Sequence, residues 1–157
     1  MTPFFILSLP RSGSAWLSNF LTYGDSFCFH ELSYGCESLD DIEAAMKGVE
    51  SPVVGTADTT AIIFYDKLVE RFPEAKYLFV VRNKDDVRQS MQFNGYDDNG
   101  LNVLGDALSE ACRSDQMDSA TIPYDSIFNQ HGMRQIWEYL EIPGEFPWRR
   151  FELLREM

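Results

Sequence analysis

A five-residue loop, PRSGS at positions 10–14, is the part of the sequence best suited to bind an anion. It follows an apolar run at positions 4–7 that has the length of a buried strand, and it precedes apolar residues at helical spacing. A helix that begins here offers unpaired backbone N–H groups and the positive end of its dipole. Arg11 adds a fixed positive charge suited to phosphate or sulfate oxygens, and Gly13 lets the backbone approach the anion closely. The stretch therefore predicts a cradle for a phosphorylated ligand; the alternative is an ordinary Pro-Gly turn between strand and helix.

Other candidate groups stand where further strands are predicted to end. Arg82 follows the apolar run KYLFVV, which suits a central parallel strand, and Ser90 comes eight positions later on the next predicted helix. His30 and Glu31 follow a shorter predicted strand, FCF. Because ligands of parallel α/β sheets bind beyond the carboxyl ends of the strands, we expect all these groups near one site. Taken alone, Arg82 and Ser90 are also compatible with a plain strand end and a plain helix surface.

The loop departs from the nucleotide triphosphatase motif, GxxxxGK followed by Ser or Thr. Ser14 follows Gly13 where that motif has its lysine, and Ala15 falls in the region of the hydroxyl that would hold Mg²⁺. The departure disfavours a Mg²⁺-dependent ATPase or kinase, and it favours a loop that handles phosphate without a metal.

Two of these stretches together resemble the sulfotransferases that use 3′-phosphoadenylyl sulfate (PAPS). PRSGSAWL is similar to the family's 5′-phosphosulfate loop. FPEAKYLFVVRNKDDVRQSM is similar to its 3′-phosphate motif, in which a strand ends in Arg and a Ser follows eight positions later. IPYDSI, the amphipathic helix after it and LEIPGEF resemble the family's later Tyr-acid turn and following helix. The resemblance covers most of the chain. It implies a P-loop NTPase-like sulfotransferase fold, in a short form most similar to bacterial and tyrosylprotein-type members.

The resemblance also implies a role for each residue of the donor site. Arg11 would contact the 5′-phosphate and the transferring sulfuryl group, while Arg82 and Ser90 would bind the 3′-phosphate. Trp16 resembles the aromatic residue that can stack on adenine. The 5′-phosphate would be held by backbone N–H groups and one hydroxyl, supplied by Ser12, Gly13, Ser14 and Ala15. The resemblance calls for no metal.

Sulfuryl transfer to a hydroxyl group also needs a base that takes the proton. Cytosolic members of the family use a His, whereas tyrosylprotein and many bacterial members resemble this chain, in which Glu31 lies twenty positions after Arg11. The resemblance favours Glu31 as the catalytic base, with His30 as the second candidate. From the residues alone, Glu31 could instead pair with a nearby Arg, and His30 could cap a strand. Further pocket candidates that could equally be capping residues are Asp58, Thr59 and Arg88.

Strands and helices are predicted to alternate along residues 1–157, which indicates a single α/β domain with three α/β/α layers and a mainly parallel sheet. Predicted strands cover residues 4–7, 27–29, 53–54, 76–81 and 120–123. A polar loop rich in hydroxyl groups is predicted at residues 55–60. Predicted helices begin after the loop at 10–14 and after Ser38, and they cover residues 61–72, 85–93, 101–113 and 133–141.

Composition excludes several other classes of protein. The chain has 157 residues, of which 45% are apolar, enough for one domain with a real core. Its formal net charge of −12 argues against nucleic acid or an anionic membrane as a partner. No apolar run approaches the ~18 residues of a membrane span. The three cysteines are an odd number without metal-type spacing, so we expect reduced thiols. Because the apolar run at residues 4–9 is too short for the core of a signal peptide, we expect a cytoplasmic protein.

The chain also departs from the family that it resembles. Ala15 stands where a hydroxyl residue is usual, and the chain is much shorter than typical members. Only the loops at 33–36 and 95–100 and the C-terminus are left to build a pocket for a small-molecule or peptide acceptor. That pocket is open, completed by a partner or by a second copy in a homo-oligomer, or lost.

The leading hypothesis is a metal-independent sulfotransferase that moves a sulfuryl group from PAPS to a hydroxyl or amine and leaves adenosine 3′,5′-bisphosphate. The alternatives are a non-catalytic nucleotide or anion binder and, less favoured, a small P-loop kinase.

Overall fold

A five-stranded sheet forms the centre of the computed structural model, which describes residues 1–114 and 118–157. The strands are β1 (Thr2–Ser8), β2 (Ser26–His30), β3 (Val53–Asp58), β4 (Lys76–Val81) and β5 (Ser119–Pro123). Their spatial order is β2-β3-β1-β4-β5, and each neighbouring pair is parallel. The predicted parallel sheet is therefore confirmed.

Seven α-helices surround the sheet in the described residues. They are α1 (Ser14–Leu21), α2 (Leu39–Lys47), α3 (Tyr65–Arg71), α4 (Lys84–Phe93), α5 (Leu101–Cys112), α6 (Gln130–Tyr139) and α7 (Trp148–Arg155). Side chains cap three of them: Ser38 forms a capping box with Asp41 on α2, Asn83 caps α4 and Asn129 caps α6. None of the helices in the described part of the chain is both long and apolar enough to cross a membrane.

The helices cover both faces of the sheet and create two hydrophobic cores. Because strand side chains alternate between faces, Phe5 and Leu7 of β1 pack in a core with α2, α3, α4 and α5. Phe4 and Ile6 pack in the opposite core with α1, α6 and α7. This arrangement confirms the three-layer α/β/α architecture and explains why β1 is a continuous apolar run.

The topology of the sheet reverses between β1 and β4. From β1 the chain runs towards β2 at one edge of the sheet, and from β4 it runs towards β5 at the other edge. In open parallel sheets, the crevice beyond the carboxyl ends of such a pair is the usual place for a ligand. The loop at 10–14 and Arg82 directly follow these two strands.

The prediction of a polar loop at residues 55–60 is wrong for residues 55–58, which belong to a strand. β3 continues through Thr56 to Asp58, paired with β1 on one side and β2 on the other. A side chain at Gly55 would force the Phe4 ring to move, because a Cβ atom there would lie 2.3 Å from that ring. The polar residues stay in the buried strand because they bond each other, with Thr56 Oγ1 donating to Asp58 Oδ2 at 2.8 Å.

Two helices differ from their predicted bounds by more than one residue. The predicted helix at 61–72 begins as a 3₁₀ turn, Ala61–Phe64, that packs on α5, and only then continues as α3. The helix predicted at 133–141 begins earlier, at Gln130, because the Asn129 side chain accepts from the amides of His131 and Gly132.

Candidate functional site

A cleft of about 1030 Å³ opens at the carboxyl ends of the strands. We call one half the arginine side, formed by Arg11, residues 13–16, Arg82 and Ser90. We call the other half the glutamate side, formed by His30, Glu31, Tyr34, Thr59 and Thr60. Both halves line the same cleft.

The loop on the arginine side turns sharply from β1 into α1. Arg11 and Gly13 both have left-handed backbone conformations, with φ of +61° and +84°. A Cβ atom at Gly13 would lie 2.2 Å from Cδ1 of Ile127, so both its conformation and its surroundings require glycine. The first N–H groups of α1, as of any helix, have no partner within the helix, and no side chain caps them. The loop has the free amides and positive helix end of an anion site.

Direct contacts join the two arginines of this side. Arg11 Nε donates to Ser90 Oγ at 3.2 Å, and Arg82 Nη1 donates to the backbone carbonyl of Arg11. The guanidinium group of Arg82 also stacks over the ring of Tyr124, 4.2 Å from its centroid. The loop after β1 and the strand end of β4 therefore present their two positive charges to one part of the cleft.

On the glutamate side, His30 and Glu31 lie at the end of β2. His30 Nε2 is 3.2 Å from Ser14 Oγ and 3.9 Å from Glu31 Oε1, which brings the pair next to the anion loop. Both carboxylate oxygens of Glu31 accept from the Thr59 amide, at 3.1 and 3.2 Å. Burial raises the pKa of Glu31, and the charge of Asp58 adds to the rise, whereas the bonds from Thr59 and the charge of His30 lower it. A carboxyl group with a raised pKa is better matched to proton transfer near neutral pH.

Nine of the ten residues predicted for the site line this cleft, and Ser12 does not. The Ser12 hydroxyl donates to the carbonyl of Pro10 at 3.4 Å, and the residue as a whole has no exposed surface, so Ser12 does not face the cleft. Trp16 lines the cleft, but its ring also stacks on Phe20 and its Nε1 donates to the carbonyl of Leu154 at 3.1 Å. The roles assigned to these ten residues stay predictions.

Sequence reasoning missed several side chains that line the cleft: Met91, Tyr96, Asp97, Tyr124 and Phe128. Tyr34, Tyr96 and Asp97 belong to the two loops, 33–36 and 95–100, that were left to build an acceptor pocket. Tyr124 begins the stretch that resembles the Tyr-acid turn, which was a usable signal. Met91 and Phe128 carried no such signal, because apolar residues at helical spacing equally predict core.

Two of the three further pocket candidates do not line the cleft. Arg88 does not line the cleft; it contacts Asp98 at 3.2 Å and Asp85 at 3.4 Å. Asp58 is fully buried at the end of β3, beneath the cleft, whereas Thr59 lines it. Within residues 1–114 and 118–157, no group of three or more His, Cys, Asp or Glu residues is arranged to hold a metal ion.

The fold and this loop define an α/β protein with a P-loop-like fold. A family model described as a sulfotransferase domain matches residues 5–97, more than half of the chain. The chain therefore belongs to the sulfotransferase family, as the two motifs predicted.

Solved structures show the same fold. Mouse sulfotransferase SULT7A1, complexed with PAP, matches with a TM-score of 0.66 and 16% identity over 98% of this chain and 64% of that chain. Shikimate kinase from Bacteroides thetaiotaomicron matches with a TM-score of 0.55 and 16% identity over 90% of this chain and 99% of that chain. The chain thus spans less than two thirds of the mouse protein. No curated protein matches the sequence significantly.

Proposed function

We propose that this protein transfers a sulfuryl group from PAPS to a hydroxyl or amine acceptor without a metal ion. The observation that carries the proposal is the junction of two anion-binding elements in one cleft. The loop after β1 and the Arg82–Ser90 pair are far apart in sequence, yet Arg11 contacts both Ser90 and, through its carbonyl, Arg82. A nucleotide with phosphate groups at both its 5′ and 3′ positions needs such a pair of sites. PAP, the bisphosphate product of PAPS, is the ligand of the mouse structural neighbour.

The geometry supports in-line transfer with Glu31 as the base. An acceptor between the two sides would lose its proton to the Glu31 carboxylate as its oxygen or nitrogen forms a bond to sulfur. The bond between sulfur and the bridging oxygen of PAPS would break, and adenosine 3′,5′-bisphosphate would leave. Arg11 and the first amides of α1 would stabilise the charge on the sulfuryl group and on the leaving phosphate.

Isothermal titration with adenosine 3′,5′-bisphosphate is the first test. We expect saturable one-site binding that persists in EDTA, because no step uses a metal. The absence of binding at millimolar ligand concentration would contradict the proposal. Transfer is then measured with ³⁵S-labelled PAPS against a panel of phenols, alcohols, amines and tyrosyl peptides.

One observation favours a second candidate, a binder of the same nucleotide without catalysis. Both carboxylate oxygens of Glu31 are engaged by the Thr59 amide, as in a purely structural contact. This candidate predicts the same bisphosphate binding but no transfer to any acceptor in the panel. The two experiments together separate it from the transferase.

A further inference from the structure

Asp58 is a buried carboxyl group that lies under the glutamate side without facing the cleft. It has 0% exposed surface at the carboxyl end of β3. Its oxygens accept from the Ser33 amide at 3.2 Å, from the Ser33 hydroxyl and from Thr56 Oγ1 at 2.8 Å. Among the ion pairs of the described residues, none involves Asp58. A buried carboxyl group that is satisfied only by neutral donors costs stability, so its contacts point to a use.

Those contacts fix the turn that follows β2. Three consecutive amides of the turn bond to three consecutive residues of β3. The Glu31 amide donates to the Ala57 carbonyl at 2.9 Å, the Leu32 amide to Thr56 Oγ1 at 3.3 Å, and the Ser33 amide to Asp58. Thr56 is itself oriented by its bond to Asp58. Asp58 therefore takes part, directly or through Thr56, in two of the three bonds.

The turn forces Glu31 into a conformation that its side chain does not favour. Its φ of +56° lies in the left-handed region, which costs a residue with a Cβ atom about 1–2 kcal/mol. Such a conformation persists only when the surroundings hold it. On one side of Glu31 the Asp58 side chain holds Ser33, and on the other the amide of Thr59, the next residue after Asp58, holds the Glu31 carboxylate.

We propose that Asp58 is the positioning residue of Glu31, holding the left-handed turn that directs the Glu31 carboxylate into the cleft. The importance of Asp58 for catalysis rests on the proposed function, but its positioning of Glu31 does not. Electrostatics adds a second effect, because the charge of Asp58 contributes to the raised pKa of Glu31. His30 on β2 is the other titratable group that acts on Glu31 among the described residues, and its charge acts in the opposite direction.

Replacement of Asp58 by Asn tests both effects, because it keeps the shape while removing the charge and one of the two acceptor oxygens. The Glu31 side-chain carboxyl is titrated by ¹³C NMR and assigned by the loss of its signal in Glu31→Gln. We expect a lower titration midpoint in Asp58→Asn than in the wild type, and faster hydrogen exchange of the Leu32 and Ser33 amides. Asp66→Asn, an exposed change on α3, is the matched control and should leave both readouts unchanged.

If Asp58 contributes to overall stability without acting on Glu31, its replacement leaves the Glu31 midpoint unchanged. An unchanged midpoint together with unchanged amide exchange therefore overturns the proposal. If Asp58→Asn does not fold, Ser33→Ala and Thr56→Val each remove one bond of the turn and keep the charge. They should speed exchange of the Leu32 and Ser33 amides, and unchanged exchange in both overturns the proposal.

Binding and transfer measurements separate this inference from the proposed function. Adenosine 3′,5′-bisphosphate should bind Asp58→Asn within about twofold of the wild type, because Asp58 contacts no residue of the arginine side. Where the wild type transfers sulfuryl groups to 4-nitrophenol, the variant should lose up to about 100-fold in kcat through misplacement of the base. A wild type that binds no bisphosphate contradicts the proposed function, while the NMR titration still decides the role of Asp58.

Discussion

The arginine side and the glutamate side of the cleft are built in different ways. On the arginine side, two sequence motifs each follow a strand and come into direct contact through their arginine side chains, as Arg11 does with Ser90. On the glutamate side, backbone amides and buried polar groups carry the structure, and the key carboxylate is held by the amide of Thr59. Each side contains a non-glycine residue in the left-handed region, Arg11 and Glu31.

This difference assigns a distinct property to each side. The arginine side offers fixed positive charge and free amides, and its contacts prepare it for an anion before any ligand arrives. The glutamate side offers a carboxyl group whose pKa is raised by burial, so we expect its role to depend on proton transfer. If the comparison is right, changes on one side should alter nucleotide affinity and changes on the other should alter turnover.

The largest expected effect is on turnover in Glu31→Gln. Loss of a general base typically lowers the rate by about 10²- to 10⁴-fold. The amide oxygen of Gln can still accept from Thr59, so the turn is retained. Bisphosphate affinity should stay within about twofold of the wild type, since the arginine side is untouched. Initial rates with ³⁵S-labelled PAPS and isothermal titration measure the two quantities.

His30→Asn is the matched comparison for that variant, because His30 is the second candidate for the base and lies beside Glu31. We expect a smaller loss of turnover in His30→Asn than in Glu31→Gln. The reverse order would make His30 the base and would contradict the role given to Glu31.

The next largest effect is on nucleotide affinity in Arg82→Ala. A hydrogen bond to a charged group is worth about 1.5–3 kcal/mol, so affinity for adenosine 3′,5′-bisphosphate should fall roughly 10- to 100-fold. Arg88→Ala is the control, because Arg88 lies on the next helix but contacts Asp85 and Asp98 outside the cleft. Equal affinities of the two variants, measured by isothermal titration, would contradict the assignment of nucleotide binding to the arginine side.

The sequence predicted the arginine side better than the glutamate side for a physical reason. Strand, loop and helix start are local features, and Gly13 and Arg82 mark their ends directly in the chain. The position of Glu31 after a strand was also predicted. Its orientation was not, because it depends on Thr56, Asp58 and Thr59, which are close to Glu31 only after β2 and β3 pair.

The same limit explains the errors in the fold. The mainly parallel sheet followed from the alternation of strands and helices, and its two covered faces followed from continuous apolar runs such as residues 76–81. The extension of β3 through Thr56 and Asp58 could not be predicted, since polar residues in a strand are buried only when tertiary hydrogen bonds satisfy them. Gly55 lies so close to the Phe4 ring that a Cβ atom would not fit between them, and the neighbouring sequence likewise gives no sign of this contact.

A smaller effect, on stability, should distinguish the two requirements at Gly13. Gly13→Ala adds a Cβ atom 2.2 Å from Ile127 and also imposes a left-handed alanine. Gly24→Ala imposes a comparable conformation, at φ of +59°, with no atom within 4 Å of the added Cβ. Urea denaturation should show that Gly13→Ala lowers the free energy of unfolding by about 1–3 kcal/mol more than Gly24→Ala does. Equal losses would mean that the loop relaxes around the added atom.

The smallest expected effect concerns the stability of Glu31→Gln as a function of pH. In the folded state the pKa of Glu31 is raised above its ordinary value of 4.5, so between these two values the folded state binds more protons than the unfolded state. The ionised carboxylate is therefore unfavourable in the fold, and this penalty is complete above the raised pKa and disappears as the pH falls towards 4.5. Glu31→Gln should accordingly have a higher Tm than the wild type at pH 7–8, and the difference should shrink on acidification. Carboxyl groups that do not interact with Glu31 are common to both proteins, so they cancel in the difference. A variant that is less stable than the wild type at neutral pH, with a gap that closes only in acid, would indicate that the Thr59 bonds outweigh burial. The glutamate side would then be a structural contact, and the contrast between the two sides of the cleft would be lost.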